Sequence, residues 1–151
     1  MHRRPHLTAT LAGALLLTLA VGCSDQVTAK LPAGADDPAC TQLGAALPKT
    51  LLKQDRRATD PSSPALAAWG DPAIILRCGV ETPGPTTDQC TTVNGIDWVA
   101  RPLTDGYDFT TYGRTPAIQV LVPKHYAPET FALTGLASAV AAIPQGEHRC
   151  S

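Results

Sequence analysis

The chain has 151 residues, 44% of them hydrophobic, and its 12 glycines and 14 prolines fall short of a low-complexity composition, so a folded core is expected and wholesale disorder is excluded. That length holds one domain and excludes a large multidomain enzyme. The formal charge of −1, with no basic run to neutralise phosphates, excludes nucleic acid as an expected partner.

His2, Arg3, Arg4 and His6 form a basic start, followed by the apolar run Leu7 to Val21. About fifteen residues span only ~22 Å as a helix, short of the ~30 Å hydrocarbon core, so this run is predicted to be an export signal rather than a permanent span. Leu19-Ala20-Val21-Gly22-Cys23 resembles the bacterial lipobox, which implies cleavage before Cys23 and diacylation of its thiol. Ala20-Val21-Gly22 also fits the small-x-small rule of ordinary signal peptidase, and Arg3-Arg4-Pro5-His6-Leu7 loosely resembles a twin-arginine signal. The expected organisation is a lipoprotein signal peptide over 1–22, lipidation at Cys23, a flexible tether over 23–36 and a single α+β domain over 37–151. Two or more acyl chains anchor stably where one is marginal, so the membrane is the expected partner, through the lipid, on the outer face of the plasma membrane. Without Arg3 and Arg4 the 12 basic residues fall to 10 against 13 acidic ones, a formal −3 for the mature chain.

With Cys23 lipidated, Cys40, Cys78, Cys90 and Cys150 remain, an even number that predicts two disulfides in an exported domain. Four cysteines can pair in three ways, and loop entropy does not choose among them. No Cys-x-x-Cys is present, and the mature histidines His125 and His148 stand far apart in sequence, so neither a metal nor a cofactor is expected.

Along the mature chain, Asp37-Pro38 supplies an N-cap with proline at the first helical position. Cys40, Leu43 and Leu47 then recur on one face until Pro48. Lys49 to Leu52 is expected to add a turn, and the charged, proline-rich stretch from Gln54 to Ala68 to be a connecting loop. Trp69-Gly70-Asp71-Pro72 turns into a strand over 73–79, with Ile74, Leu76 and Cys78 inward and Ile75 and Arg77 outward. Asn94-Gly95 signals a tight turn into a strand over 96–101, and Asp105-Gly106 a reversal into 107–112. Ala117 to Val122 is the clearest strand. A helix runs from Pro128-Glu129 to about Ala142, with Leu133, Leu136, Ala137 and Val140 on one side. This order predicts an α+β two-layer sandwich: an antiparallel sheet of about four strands with the N-terminal and C-terminal helices on one face.

The runs Ala68 to Val80, with Trp69-Gly70-Asp71-Pro72 leading to Arg77-Cys78-Gly79-Val80, and Val93-Asn94-Gly95-Ile96-Asp97-Trp98 carry a resemblance. The chain resembles the actinobacterial lipoprotein or secreted family named domain of unknown function 3515 over most of residues 38–143. The resemblance implies a Cys40–Cys78 disulfide and, in this chain, an added Cys90–Cys150. It supplies no activity and no catalytic residue.

The residues themselves form no catalytic constellation: the cysteines are committed, and His125 is the one plausible base, expected as a solvated surface histidine. Asp97, Asp105 and Asp108 are spaced for neither a carboxylate pair nor a calcium loop. Trp69 and Trp98 are expected in the core. Arg77, in the middle of an apolar strand, is expected either to pair with Asp97 across strands or to join Asp97, Val99, Arg101, Gln119 and Leu121 in an uncovered sheet face that meets a ligand or an envelope protein. The first functional reading is therefore a non-enzymatic binding lipoprotein of the cell envelope. The alternative is a small cell-wall hydrolase or transferase, which would need a carboxylate close to His125.

Overall fold

The computed structural model describes residues 25–151, so the signal segment 1–22 and Cys23 lie outside the described residues. The elements in chain order are β1 (Val27–Thr28), α1 (Pro38–Ala46), β2 (Thr50–Leu51), β3 (Gln54–Arg57), β4 (Thr59–Asp60), β5 (Leu66–Trp69), β6 (Ile74–Val80), β7 (Gln89–Val93), β8 (Ile96–Leu103), β9 (Gly106–Thr111), β10 (Ala117–Pro123) and α2 (Thr130–Val140), with a 3-10 turn at Lys124–Tyr126.

Asp37 caps α1 as its residue type suggests, accepting the Ala39 N–H at 2.8 Å. The helix stops because Leu47 precedes Pro48 and is driven to an extended conformation, ψ 143°. In α2 the expected Leu133, Leu136, Ala137 and Val140 are all buried.

The antiparallel sheet has eight strands, in the order β2-β3-β5-β6-β10-β9-β8-β7, rather than the expected four. Most of the difference lies in residues 50–69, expected as turn and loop. Leu66-Ala67-Ala68-Trp69 is buried at every position, so β5 shows no alternation to betray it as a strand. β3 is wholly polar, yet its backbone pairs with β5, and the Arg56 guanidinium lies 5.5 Å from the Trp69 ring centre. β7 forms the first arm of the Asn94-Gly95 hairpin, with Val93 opposite Ile96 and both turn residues at positive φ.

The inward row anticipated for β6 holds: Ile74, Leu76 and Cys78 are fully buried. Across the sheet Leu76 lies opposite Val120, which lies opposite Phe109, which lies opposite Ala100. This face and both helices share one core containing Leu43, Leu133, Leu136, Trp69 and Trp98. Each fully buried Leu, Val or Phe contributes roughly 1.5–3 kcal/mol, which is what holds the helices down.

Two disulfides brace the domain. Cys40–Cys78 ties α1 to β6, and Cys90–Cys150 ties the edge strand β7 to the C-terminus. At sequence separations of 38 and 60, the loop-entropy model gives each ~4 kcal/mol.

The stretch expected to be a free tether is laid against the domain over its described part, 25–36. Val27 and Thr28 pair in parallel with Thr59 and Asp60, and the Gly34 N–H donates to the Gly79 carbonyl at 3.0 Å. A β-carbon on Gly79, which has φ +92°, would stand 2.2 Å from the Gly34 carbonyl carbon, so the close approach of the two backbones requires glycine there. A polar, aperiodic sequence hides this docking because the backbone carries it.

Candidate functional site

On the sheet face opposite the core, register places Leu66, Arg77, Gln119, Thr110, Val99 and Cys90 in one row from β5 to β7. A second row reads Ala68, Ile75, Leu121, Asp108 and Arg101. Arg77, Gln119 and Arg101 thus share a face, as expected from alternation along their strands.

At the centre, Arg77 donates from Nε and Nη2 to the Gln119 Oε1 and from Nη1 to the Lys30 carbonyl at 3.4 Å. The Gln119 Nε2 donates in turn to Asp108 Oδ2 at 2.8 Å, and the Thr110 hydroxyl donates to Asp108 Oδ1 at 3.2 Å. A neutral amide therefore stands between guanidinium and carboxylate. Arg101 instead pairs with Asp88 at 2.7 Å, and that hydrogen bond, with a second from Thr86, holds the exposed Asp88 carboxyl below its ordinary range.

Asp97 departs from expectation. It belongs to the same face by parity but is 6% exposed, accepting the Thr92 hydroxyl at 2.6 Å and the Cys150 N–H at 3.2 Å. The Arg77–Asp97 pair is not made, because β10 and β9 lie between β6 and β8 and put the two strands about 14 Å apart. Val99 is 1% exposed. Lys30–Pro32 and the C-terminal segment therefore bracket a face expected to be open.

Between these brackets lies a polar groove of about 400 Å³, lined by Arg77, Gln119, Thr110 and Arg101 from the sheet and by Glu81–Gly84 from the β6–β7 connection. A second hollow of about 410 Å³ adjoins it, sharing Arg77, Val80 and Glu81 and walled by Lys30–Ala33. The connecting loop and the N-terminal wall are absent from the residues that alternation identified, since neither belongs to a periodic element.

The other residues singled out lie elsewhere. His125 is exposed on the 3-10 turn, its ring edge-on to Tyr126 at 4.9 Å, and among the described residues no carboxylate lies within 4.0 Å of it. Asp105 occupies the β8–β9 reversal, where its hydrogen bond raises the pKa of Lys124, 2.9 Å away. Trp69 and Trp98 are fully buried, and the Trp69 indole donates to the Pro48 carbonyl. Among the described residues no three of His, Cys, Asp and Glu gather as a metal site, and no helix is long and apolar enough to cross a membrane.

Fold and site together define a small α+β domain with two disulfides and a bracketed, arginine-bearing sheet face. The chain belongs to the family described as protein of unknown function DUF3515, whose model matches residues 5–148. Neither the curated proteins nor the solved structures contain a match to it.

Proposed function

We propose that the chain is an exported lipoprotein, anchored to the outer face of the plasma membrane through acyl chains on Cys23, that serves the cell envelope as a non-enzymatic binding module. The lipobox-like Leu19 to Cys23 supports the anchor, and two disulfides suit an oxidising compartment. The observation that carries the binding reading is the groove on the helix-free sheet face, where Arg77, Gln119 and Arg101 meet polar loop atoms in a space large enough for a ligand.

A photoreactive residue placed at Gly84, on the groove rim, tests the reading in intact cells against the same residue at Thr134, exposed on α2. The expected result is an adduct from position 84 alone, lost in Arg77→Glu protein that melts normally. Equal adducts from both positions, or none from 84, overturn the binding reading. For the anchor, Cys23→Ser is expected to release the protein or leave an uncleaved precursor. A processed, membrane-retained variant overturns it.

A further inference from the structure

We infer that the groove at Arg77 recognises a carboxylate, the singly charged end or side group of a small extended ligand. The inference rests on the binding reading of the same face and names the chemistry that face would select.

Arg77 is set up differently from the other arginines of this surface. Arg57 has Asp25 and Asp71 within 4 Å, and Arg101 has Asp88. Arg77 is half-buried, and among the described residues no carboxylate lies within 4.0 Å of it. Its three hydrogen bonds end on neutral oxygens, the Gln119 amide and the Lys30 carbonyl. A guanidinium carries five N–H groups and stays charged at any physiological pH, so two donors and a full positive charge remain available.

That cation lines both adjoining hollows, which places it at their junction. The surrounding charges select the anion. The Arg101 charge is met by Asp88, and the Asp108 carboxylate is met by Gln119 and Thr110. Glu81 and Lys30 stand exposed at the rims. With Arg101 matched by Asp88 and the rim charges Lys30 and Glu81 opposite in sign, Arg77 is left as one cation at the floor beside the amide-held Asp108, which suits a monoanion. A phosphate dianion would add a second charge beside Asp108 with no further unpaired cation at the floor, among the described residues, to meet it. A planar carboxylate also matches the fork of a guanidinium. Gln119 has a part in this: its amide stands between Arg77 and Asp108 and bonds both, while register sets Asp108 opposite Leu121, two strands from Arg77.

The test titrates the full mature chain, labelled so that the backbone amides of the groove residues Thr82, Gly84 and Gln119 report binding in wild type and variants alike, with N-acetyl-triglycine, with its C-terminal amide and with inorganic phosphate, each up to about 20 mM. The expected result is a saturable shift with the free carboxylate, at least about tenfold weaker binding of the amide and phosphate, and a similar loss in Arg77→Gln. Arg77→Lys should recover part of the affinity, and amide spectra of both variants establish that they are folded. Equal response to peptide acid and peptide amide overturns carboxylate recognition, as does a stronger response to phosphate, which would make the site a phosphate site. No response in folded wild-type protein also overturns it. In that case an adduct from position 84 in cells still upholds binding on this face, and its absence brings down both readings.

Discussion

Arg77 and Gln119 face each other directly across β6 and β10, and one amide oxygen accepts two guanidinium N–H groups while the amide nitrogen serves Asp108. Gln119→Leu removes partners from both charges at once. Hydrogen bonds to charged groups contribute roughly 1.5–3 kcal/mol, so the variant should lose about that much in urea unfolding, tempered by the half-exposure of the site. An unchanged midpoint would show that solvent already satisfies both groups.

The two disulfides should differ in accessibility. Cys40 and Cys78 are fully buried, whereas Cys90 and Cys150 are partly exposed. Brief treatment with dithiothreitol under native conditions should therefore open Cys90–Cys150 first, read by alkylation and mass spectrometry. Simultaneous opening would mean that the domain unfolds globally before either bond is reached.

Asp97 organises the C-terminus rather than the groove. Asp97→Ala removes the acceptor for the Thr92 hydroxyl and the Cys150 N–H and should cost the docking of the C-terminal segment, rather than the fold as a whole, about 1.5–3 kcal/mol. Amide exchange over 145–151 should accelerate while exchange in β6 and β10 stays slow. Uniform acceleration would instead mark a loss of global stability.

The Asp88 carboxyl is held below its usual range, first by its hydrogen bond from Arg101. A depressed carboxyl stabilises the folded state above its unfolded pKa, and the effect is lost as pH falls through the folded one. The β6–β7 loop should thus stay docked at neutral pH and loosen only below the ordinary carboxylate range. Arg101→Ala should raise the Asp88 titration midpoint by carboxyl-detected NMR, and an unmoved midpoint would remove Arg101 as the cause.

Gly79→Ala should lift the N-terminal segment. Its β-carbon would meet the Gly34 backbone, and its φ of +92° is strained for any L side chain. Limited proteolysis should then cut within 25–36 while leaving β5 to β10 intact. Continued protection would mean that the pairing of β1 with β4 suffices to hold the segment.

What the amino-acid order revealed follows from where side chains alternate or cap. Asp37-Pro38, the Ile74-Leu76-Cys78 row, Asn94-Gly95 and the Leu133-Leu136-Val140 stripe each declared an element and its buried side. The shared face of Arg77, Gln119 and Arg101 was legible for the same reason. Strand neighbours were not, because alternation says which face a residue occupies and nothing about which strand lies alongside. Placing β10 between β6 and β9 gave Arg77 the amide of Gln119 in place of Asp97. The doubly buried β5 and the polar β3 lacked the periodicity that reveals a strand, and the docked stretch 25–36 is held mainly through its backbone and by contacts to Arg57 and Arg77.

Because β10 joins β6 to β9, the middle of the sheet is completed by the last strand to be synthesised. A chain emerging N-terminus first presents β6, with its Ile74-Ile75-Leu76 edge unpaired, until residue 117 is through. Synthesis of this protein therefore includes an interval in which an aggregation-prone half-sheet stands exposed, and a product truncated before Ala117 would keep that sticky edge for good.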